Sequence, residues 1–154
     1  MSAFKRIIVE NRFQKNHAQK SLTFRSNWEV AFANFLDGNK NVKEWKNDYP
    51  MRYRDKFNTQ KLKTYYIDFF VNMTDGTTML IEVKPLKSLQ MRVTTKSIRY
   101  KQIHTTNYLK NLAKFEMVEM FCQKMKWKFF LTEKGDSGFK FYRWDISNKK
   151  PVSV

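Results

Sequence analysis

Apolar residues recur at helical spacing between Trp28 and Leu36, and this pattern predicts a short helix over residues 26–37. The segment Ser26-Asn-Trp-Glu29 has the form of a capping box, in which a serine and a glutamate satisfy the first backbone N–H groups of a helix. The sequence Asp-Gly-Asn that follows is typical of a helix end. We therefore expect a helix with an aromatic face near the start of the folded region.

A β-hairpin is the clearest element predicted by the pattern. Tyr65–Val71 is aromatic and β-branched, as strands usually are. Thr74-Asp-Gly76 is a turn signal, and Thr77–Lys84 is a second strand that ends before a proline. Further elements are predicted with less distinct boundaries: two short strands at Val42–Trp45 and Met51–Phe57, a helix at Thr106–Met125, and strands at Trp127–Thr132 and Phe139–Trp144.

The order of these elements predicts an α/β fold with a central mixed β-sheet flanked by helices. A chain of 154 residues is expected to form a single domain. Within it we distinguish a basic N-terminal arm (1–25), a core (26–133) and a C-terminal extension (134–154).

The charge balance of the chain predicts a class of binding partner. The chain has 30 Lys and Arg against 14 Asp and Glu, a net charge of +16, which favours a polyanionic partner such as nucleic acid. It is also 42% hydrophobic and 16% aromatic, which excludes a disordered basic tail. No apolar stretch is long enough to span a membrane or to act as a signal segment, so we expect a protein that is neither membrane-bound nor secreted.

Other kinds of site are excluded by the scarcity of their residues. Cys122 is the single cysteine, and its place on an apolar helix stripe predicts a buried small side chain. His17 and His104 are too few and too far apart for a histidine-based zinc site. Glu116 and Glu119 are one helical turn apart and are expected to be solvated.

Two acids lie in strongly apolar surroundings. Asp68 interrupts the run from Tyr65 to Val71, and Glu82 lies between Ile81 and Val83. A carboxylate among large apolar residues is costly unless another group compensates its charge. A divalent cation such as Mg²⁺ prefers carboxylate oxygens, so a metal site is one interpretation. The alternatives are a strand-end aspartate paired with a nearby cation and a surface ion pair between Glu82 and Lys84.

The turn length decides whether these acids face one another. A two-residue turn places Asp68 opposite Val83, whereas a three-residue loop at 74–76 places it opposite Glu82. Gly76 in the last loop position favours the three-residue loop, in which a left-handed residue closes the hairpin. Lys84 shares a face with Glu82 because alternate strand residues point to one side. We therefore predict Asp68, Glu82 and Lys84 on one face of the sheet.

This constellation suits phosphodiester hydrolysis. Carboxylates can hold Mg²⁺, which polarises the scissile phosphate and lowers the pKa of bound water. A lysine can orient that water or stabilise developing charge. Glu29 is a candidate third carboxylate, although it is equally explained as the glutamate of the capping box.

Glu29, Tyr-Tyr-Ile-Asp68 and Ile-Glu82-Val-Lys84-Pro together resemble the PD-(D/E)xK nuclease superfamily. The likeness is to the branch that includes the TnsA transposon endonuclease and, more narrowly, to the head completion nucleases of T4-like tailed phages. Phe24-Arg-Ser-Asn-Trp-Glu29 followed by Phe-Leu-Asp37 is its most specific part, and Lys128–Glu133 follows in the matching order. One departure is Ile67, which stands where the superfamily name has proline.

The resemblance implies a restriction-endonuclease-like core and a Mg²⁺-dependent DNA endonuclease, with Mn²⁺ as a possible substitute. It implies metal ligands at Glu29, Asp68 and Glu82 and a catalytic lysine at Lys84. It also implies a role on packaged DNA ends before tail joining, and therefore phage head or portal proteins as partners. Such a protein is expected at the head–tail connection of the virion and in the host cytoplasm.

The acid-poor basic segments are predicted to contact the backbone of double-stranded DNA. The candidate residues are Arg25, Lys87, Arg92, Lys96, Arg99 and Lys101. Three alternatives stay open: a non-enzymatic DNA-binding structural protein at the portal, a transposase or restriction-type endonuclease, and an RNA-binding module whose aromatic residues stack on bases.

Overall fold

The computed structural model describes residues 6–17, 20–55, 58–89 and 98–154, and its description of side chains excludes 54–60 and 88–107. The chain divides into two compact units, Met1–Val83 and Lys84–Val154, which are described in turn.

The N-terminal arm contains regular structure, contrary to its weak sequence pattern. Strand β1 (Ile7–Glu10) pairs antiparallel with β2 (Ser21–Phe24). The arm is attached to the following helix by Asp37, whose carboxylate accepts hydrogen bonds from the backbone N–H groups of Gln14 and Lys15 at 3.1 and 2.9 Å. The sequence indicated Asp37 only as part of the signal that ends the helix, and did not indicate these contacts.

Helix α1 (Asn27–Gly38) is close to its predicted range of 26–37. Its N-cap is Ser26, whose Oγ accepts a hydrogen bond from the Glu29 N–H at 3.2 Å. The buried face consists of Glu29, Phe32, Ala33 and Leu36. Phe35, predicted on the buried aromatic face, is 41% exposed because the helix packs through the neighbouring stripe.

Strands β3 (Val42–Asp55) and β4 (Asn58–Met73) form a long antiparallel ribbon. The prediction of two short strands at Val42–Trp45 and Met51–Phe57 was wrong, because β3 continues through Pro50, which lies opposite Tyr66. Proline is tolerated in a strand where its missing N–H faces away from a partner strand. In the described residues of this unit, β3 pairs with β4 alone.

Strand β5 (Thr78–Val83) completes the hairpin with β4. The pairs Phe69–Ile81 and Phe70–Leu80 give the register predicted from a three-residue loop. Gly76 has a φ of 89°, in the left-handed region that favours glycine. The register prediction is confirmed, and the turn residue on which it depended has the expected conformation.

An aromatic core in this unit joins the helix to the sheet. The Phe69 ring lies 5.0 Å from Phe32 of α1 and 5.8 Å from Trp45 of β3, measured between ring centroids. All three side chains are fully buried. Ring pairs at these distances stabilise beyond the area they bury, so α1 is held firmly over β4 at the position next to Asp68.

The second unit begins with a 3₁₀ turn (Leu86–Leu89) and continues with helix α2 (Ile98–Met125). Strands β6 (Lys128–Gly135), β7 (Gly138–Asp145) and β8 (Lys150–Ser153) pair as an antiparallel meander. Helix α2 begins well before the predicted Thr106, and β8 in the C-terminal extension was not predicted. The strands predicted at Trp127–Thr132 and Phe139–Trp144 are confirmed as β6 and β7.

Helix α2 buries Phe115, Val118 and Cys122. The Phe115 ring packs on Trp144 of β7 at 5.3 Å between centroids. Burial of Cys122 is confirmed, and burial together with the nearby Glu119 charge raises the pKa of its thiol to about 12. The expectation of a solvated Glu119 was wrong, because only 4% of this residue is exposed.

The α/β class is confirmed, since each unit combines a helix with three consecutive antiparallel strands. Among the described helices, none is long and apolar enough to cross a membrane.

Candidate active site

Three acids predicted from the sequence are buried in the first unit. Glu29 of α1, Asp68 of β4 and Glu82 of β5 are 6%, 8% and 5% exposed. They come from three different elements, which the aromatic core and the hairpin register hold in place. Buried acids of this kind are rare unless they are paired or bind a cation.

Asp68 and Glu82 each bind the backbone of the other's strand. The backbone N–H of Asp68 donates to Glu82 Oε1 at 3.1 Å. The backbone N–H of Val83 donates to Asp68 Oδ2 at 2.9 Å. The backbone pairing of β4 with β5 ends at Phe69 and Ile81. Beyond this pair, the two carboxylates accept the backbone N–H groups of the opposite strands. This exchange fixes the orientation of both carboxylates.

Glu29 caps helix α1 and also lies beside Asp68. Its Oε2 accepts the backbone N–H of Arg25 at 2.6 Å, and its own N–H donates to Ser26 Oγ, as in a capping box. Its side chain is also hydrogen-bonded to the Asp68 carboxyl group. This contact and the negative charge of Glu29 add to the effect of burial, which is the largest cause of the raised pKa of Asp68.

Burial raises the pKa of Asp68 well above its ordinary value. The negative charges of Glu82 and Glu29 add to that effect, and the hydrogen bond from the Val83 N–H opposes it. Perturbed pKa values caused by burial and like charges are typical of functional sites. An added positive charge, whether a proton or a cation, would therefore relieve the repulsion within the cluster.

Tyr65 is a residue of this site that sequence reasoning missed. Its phenol is hydrogen-bonded to Glu82, and burial, followed by the charges of Glu82 and Asp68, raises its pKa well above 10.0. The phenol therefore remains a hydrogen-bond donor at neutral pH. The sequence carries no signal for this role, because Tyr65 is simply the first aromatic residue of a strand.

Asp48 was missed as well. It lies between the pairs Asn47–Phe69 and Tyr49–Ile67, so its register position in β3 faces Asp68. Burial raises its pKa, and the Arg25 charge lowers it while the Glu29 charge raises it. Its φ of 52° is in the left-handed region, where aspartate is tolerated at some cost. The sequence signal for this position was the polar pair Asn47-Asp48, which lies within strand β3.

The donor chemistry of the cluster fits a hard divalent cation, because all its side-chain donors are carboxylate oxygens. As the side chains stand, no group of three His, Cys, Asp or Glu residues in the described parts of the chain is arranged to hold a metal ion. Carboxylate oxygens of all three acids instead accept hydrogen bonds from backbone N–H groups. A metal ion held by these three carboxylates would therefore require side-chain rotation to bring their oxygens together.

Lys84, the predicted catalytic lysine, is the first residue of the second unit. Its backbone N–H donates to the Thr132 carbonyl at 2.9 Å, so its main chain is fixed. Its ammonium donates to Asn111 Oδ1 at 3.2 Å and lies 5.6 Å from the centre of the Phe115 ring. These contacts position the ammonium without an acidic partner among those described.

Of the predicted DNA-contacting residues, Arg25 and Lys87 are described and exposed. Arg25 immediately precedes the N-cap of α1, and its charge acts on Asp48 and Tyr65. Lys87 lies in the 3₁₀ turn. The predictions for Arg92 and Lys96, and for the side chains of Arg99 and Lys101, lie outside the described residues.

Comparison with known proteins agrees with the geometry. Residues 39–134, more than half of the chain, match the family described as TnsA-like endonuclease N terminal. The chain is also 28% identical to the head completion nuclease of Enterobacteria phage T4 over 122 residues, which cover 79% of this chain and 77% of that protein. Both findings agree with the nuclease resemblance and with the restriction-endonuclease-like class of α/β fold. This chain belongs to the TnsA-like endonuclease family.

Proposed function

We propose that this protein is a Mg²⁺-dependent DNA endonuclease of the phage head completion type, which acts on packaged DNA ends before tail joining. The observation that carries the hydrolytic part is the convergence of Glu29, Asp68 and Glu82, three buried carboxylates from α1, β4 and β5. The likeness to the T4 head completion nuclease supports the biological setting.

In this proposal Glu29, Asp68 and Glu82 hold Mg²⁺, with Mn²⁺ as a substitute. The ion, when bound, polarises the scissile phosphate and lowers the pKa of a water molecule. The backbone N–H groups of Asp68 and Val83 keep the carboxylates oriented, and Tyr65 donates to Glu82. Such outer hydrogen bonds tune metal ligands and affect affinity by about 10–100-fold.

Lys84 is assigned the role of orienting the attacking water or stabilising the charge that develops on the phosphate. Its place two residues after Glu82 supports the assignment. A lysine ammonium is a compact charge with three donors. Asn111 and the Phe115 ring restrict its motion, which lowers the entropy lost when it acts on a substrate.

Binding to double-stranded DNA is assigned to the cationic surface, including Arg25 and Lys87. The net charge of +16 supports strongly salt-dependent, sequence-independent attachment to the phosphate backbone. Phage head or portal proteins are the proposed protein partners, and the head–tail connection is the proposed site of action.

The test is cleavage of plasmid DNA by purified protein with Mg²⁺, Mn²⁺ or EDTA. Wild type is expected to cut only with a divalent ion, and Asp68→Ala is expected to be inactive. Lys84→Ala is expected to lose about 10²–10³-fold in rate, the usual effect of removing one charge-stabilising donor. Asp136→Asn and Lys43→Ala alter exposed residues of the same types and should retain wild-type rates.

A second candidate function, a non-enzymatic DNA-binding structural protein at the portal, is favoured by the net charge alone. It predicts salt-sensitive binding of DNA with no cleavage under any metal condition. Binding without cleavage by wild type would overturn the endonuclease assignment. Equal cleavage by wild type and Asp68→Ala would instead refute the assignment of the carboxylates and indicate a contaminating nuclease.

A further inference from the structure

The ribbon of β3 and β4 continues past the point where β5 stops pairing with it. In the described part of the chain, β5 pairs with β4 at residues 69–72 only. Residues 62–66 of β4 pair there with β3 alone. We call residues 50–55 of β3 and 58–66 of β4 the outer ribbon. An isolated two-stranded ribbon is marginally stable in water, so a partner that covers it would stabilise it.

Both faces of the outer ribbon are open to solvent. Successive residues of a strand point to opposite faces, yet the four consecutive residues of β4 from Lys61 to Thr64 are all exposed. Arg52 of β3, which lies opposite Thr64, is exposed too. The exposed fraction of Leu62 is 57%. The described parts of the protein therefore cover neither face of the ribbon at these positions.

The outer ribbon is strongly basic. Residues 50–66 contain five Lys or Arg against one Asp, and none of the ribbon side chains that the structure describes is acidic. Lys61 and Lys63 lie on one face by strand alternation, whereas Arg52 lies on the other face with Thr64, its partner across the ribbon. Both faces therefore attract a polyanion, and two copies of the ribbon would repel one another.

The thickness of the ribbon selects the kind of polyanion. Stacked β-sheets lie about 10 Å apart, so one ribbon with side chains on both faces is about 10 Å thick. The major groove of B-DNA is about 12 Å wide and admits a two-stranded ribbon, whereas the minor groove is about 6 Å wide. The major groove of duplex RNA is too narrow for side chains to enter. Phosphates line both walls of a groove, which matches a ribbon with cations on both faces.

We propose that the outer ribbon inserts into the major groove of double-stranded DNA. Lys61 and Lys63 contact phosphates of one wall, and Arg52 contacts those of the other. Strand β4 continues from the ribbon to Asp68, five residues after Lys63, or about 17 Å at about 3.3 Å per residue. This length corresponds to about five phosphates along one DNA strand. The inference rests on the proposed function, because it assigns the ribbon to the duplex that the acidic cluster cuts.

The test measures binding separately from cleavage, by fluorescence anisotropy of a short labelled DNA duplex in EDTA at increasing NaCl. Each phosphate contact contributes about 0.9 to the slope of log K against log salt. The ribbon variant Arg52→Gln/Lys61→Gln/Lys63→Gln should therefore lose about 2–3 in slope, and Lys61→Gln alone about one. Because all three side chains are exposed, the circular dichroism and Tm of the variants should match wild type.

A matched control, Lys40→Gln/Lys43→Gln/Lys134→Gln, removes the same charge from exposed residues outside the ribbon. Its slope should stay within about one of the wild-type slope. Competition tests the groove: methyl green, which binds the major groove, should displace the protein from DNA. Netropsin, which binds the minor groove, should not displace it. Single-stranded DNA and an RNA duplex of the same sequence should compete at least tenfold more weakly than duplex DNA.

Equal slopes of the ribbon variant and the control variant would overturn the proposal, whether or not wild type cleaves DNA. Displacement by netropsin but not by methyl green would also overturn it, as would equal competition by single-stranded DNA or duplex RNA. Failure of the proposed function would give a different result. Wild type would then show the expected binding in EDTA but would not cleave plasmid DNA with Mg²⁺.

Discussion

Replacing Asp68 by asparagine should abolish cleavage and, at neutral pH, stabilise the fold. Asp68 is 8% exposed, and its pKa is raised by burial and by the charges of Glu82 and Glu29. Asparagine has nearly the same shape and retains an oxygen that can accept the Val83 N–H. The substitution therefore removes a buried charge while keeping the hydrogen bond that orients the residue.

The magnitude follows from the charges in the cluster. Two like unit charges 4 Å apart repel by about 4 kcal/mol at an effective dielectric constant of about 20. Because the pKa of Asp68 is raised, partial protonation of this carboxyl group relieves part of the repulsion. An asparagine amide that is imperfectly paired costs about 1–3 kcal/mol. The net gain expected is about 1–2 kcal/mol, or about 2–8 °C in Tm for a chain of this size.

The pH dependence of stability is a second test of the predicted direction of the Asp68→Asn effect. In folded protein the pKa of Asp68 lies above its ordinary value of 3.8, so the folded state holds its proton to higher pH than the unfolded chain. Between these two pKa values the stability of wild type falls as pH rises. Asparagine does not titrate. The Tm advantage of Asp68→Asn should therefore be absent below the ordinary pKa and should grow as pH increases.

The assay is differential scanning calorimetry of both proteins without divalent ions, at a series of pH values, beside the plasmid assay. Asp145→Asn is the control, because hydrogen bonds from Asn148 lower the pKa of this exposed carboxyl group and its removal should not raise Tm. A Tm of Asp68→Asn below that of wild type at neutral pH would refute the repulsion argument. Retention of cleavage would refute the role of Asp68 as a ligand.

Three further predictions concern single residues of the two units. Tyr65→Phe should keep the fold and slow Mg²⁺-dependent cleavage about 10–100-fold, measured by initial rates, because Glu82 loses a hydrogen bond; an unchanged rate would contradict this positioning role. Ser26→Ala should lower the free energy of unfolding by about 0.5–2 kcal/mol, measured by urea denaturation, because α1 loses its N-cap. An unshifted urea midpoint would show that Glu29 caps the helix alone. Cys122, with its buried thiol and a pKa of about 12, should react with Ellman's reagent at pH 8 only after unfolding, and prompt labelling of the native protein would disprove its burial.

The arrangement of the candidate site was predictable where local signals were strong. Gly76 fixed the loop length, and the loop length fixed the register of Asp68 against Glu82. Ser26 and Glu29 defined the start of α1 through their capping chemistry. In each case one or two residues determine a local conformation. The regular geometry of the adjoining strand or helix then determines where the following side chains lie.

The parts that escaped prediction depend on contacts distant in sequence. Pro50 indicated a break, yet β3 continues through it because pairing with β4 outweighs the local signal. Asp48 faces Asp68 only through that pairing. Glu119 is buried because the β7 meander covers that side of α2, and helical spacing alone does not reveal it. Tertiary packing, and not local propensity, decides such positions.

In the proposed endonuclease, the hydrogen bonds that Asp68 and Glu82 accept from one another's strands tie activity to complete folding. A slip of the hairpin by one residue would turn Glu82 to the opposite face and separate its carboxylate from the Asp68 N–H. Every misregistered or partly folded chain would thus lack the acidic cluster altogether. A newly synthesised chain would be harmless to nucleic acid until the hairpin closes and α1 docks, so activity should appear during refolding in step with native structure and never ahead of it.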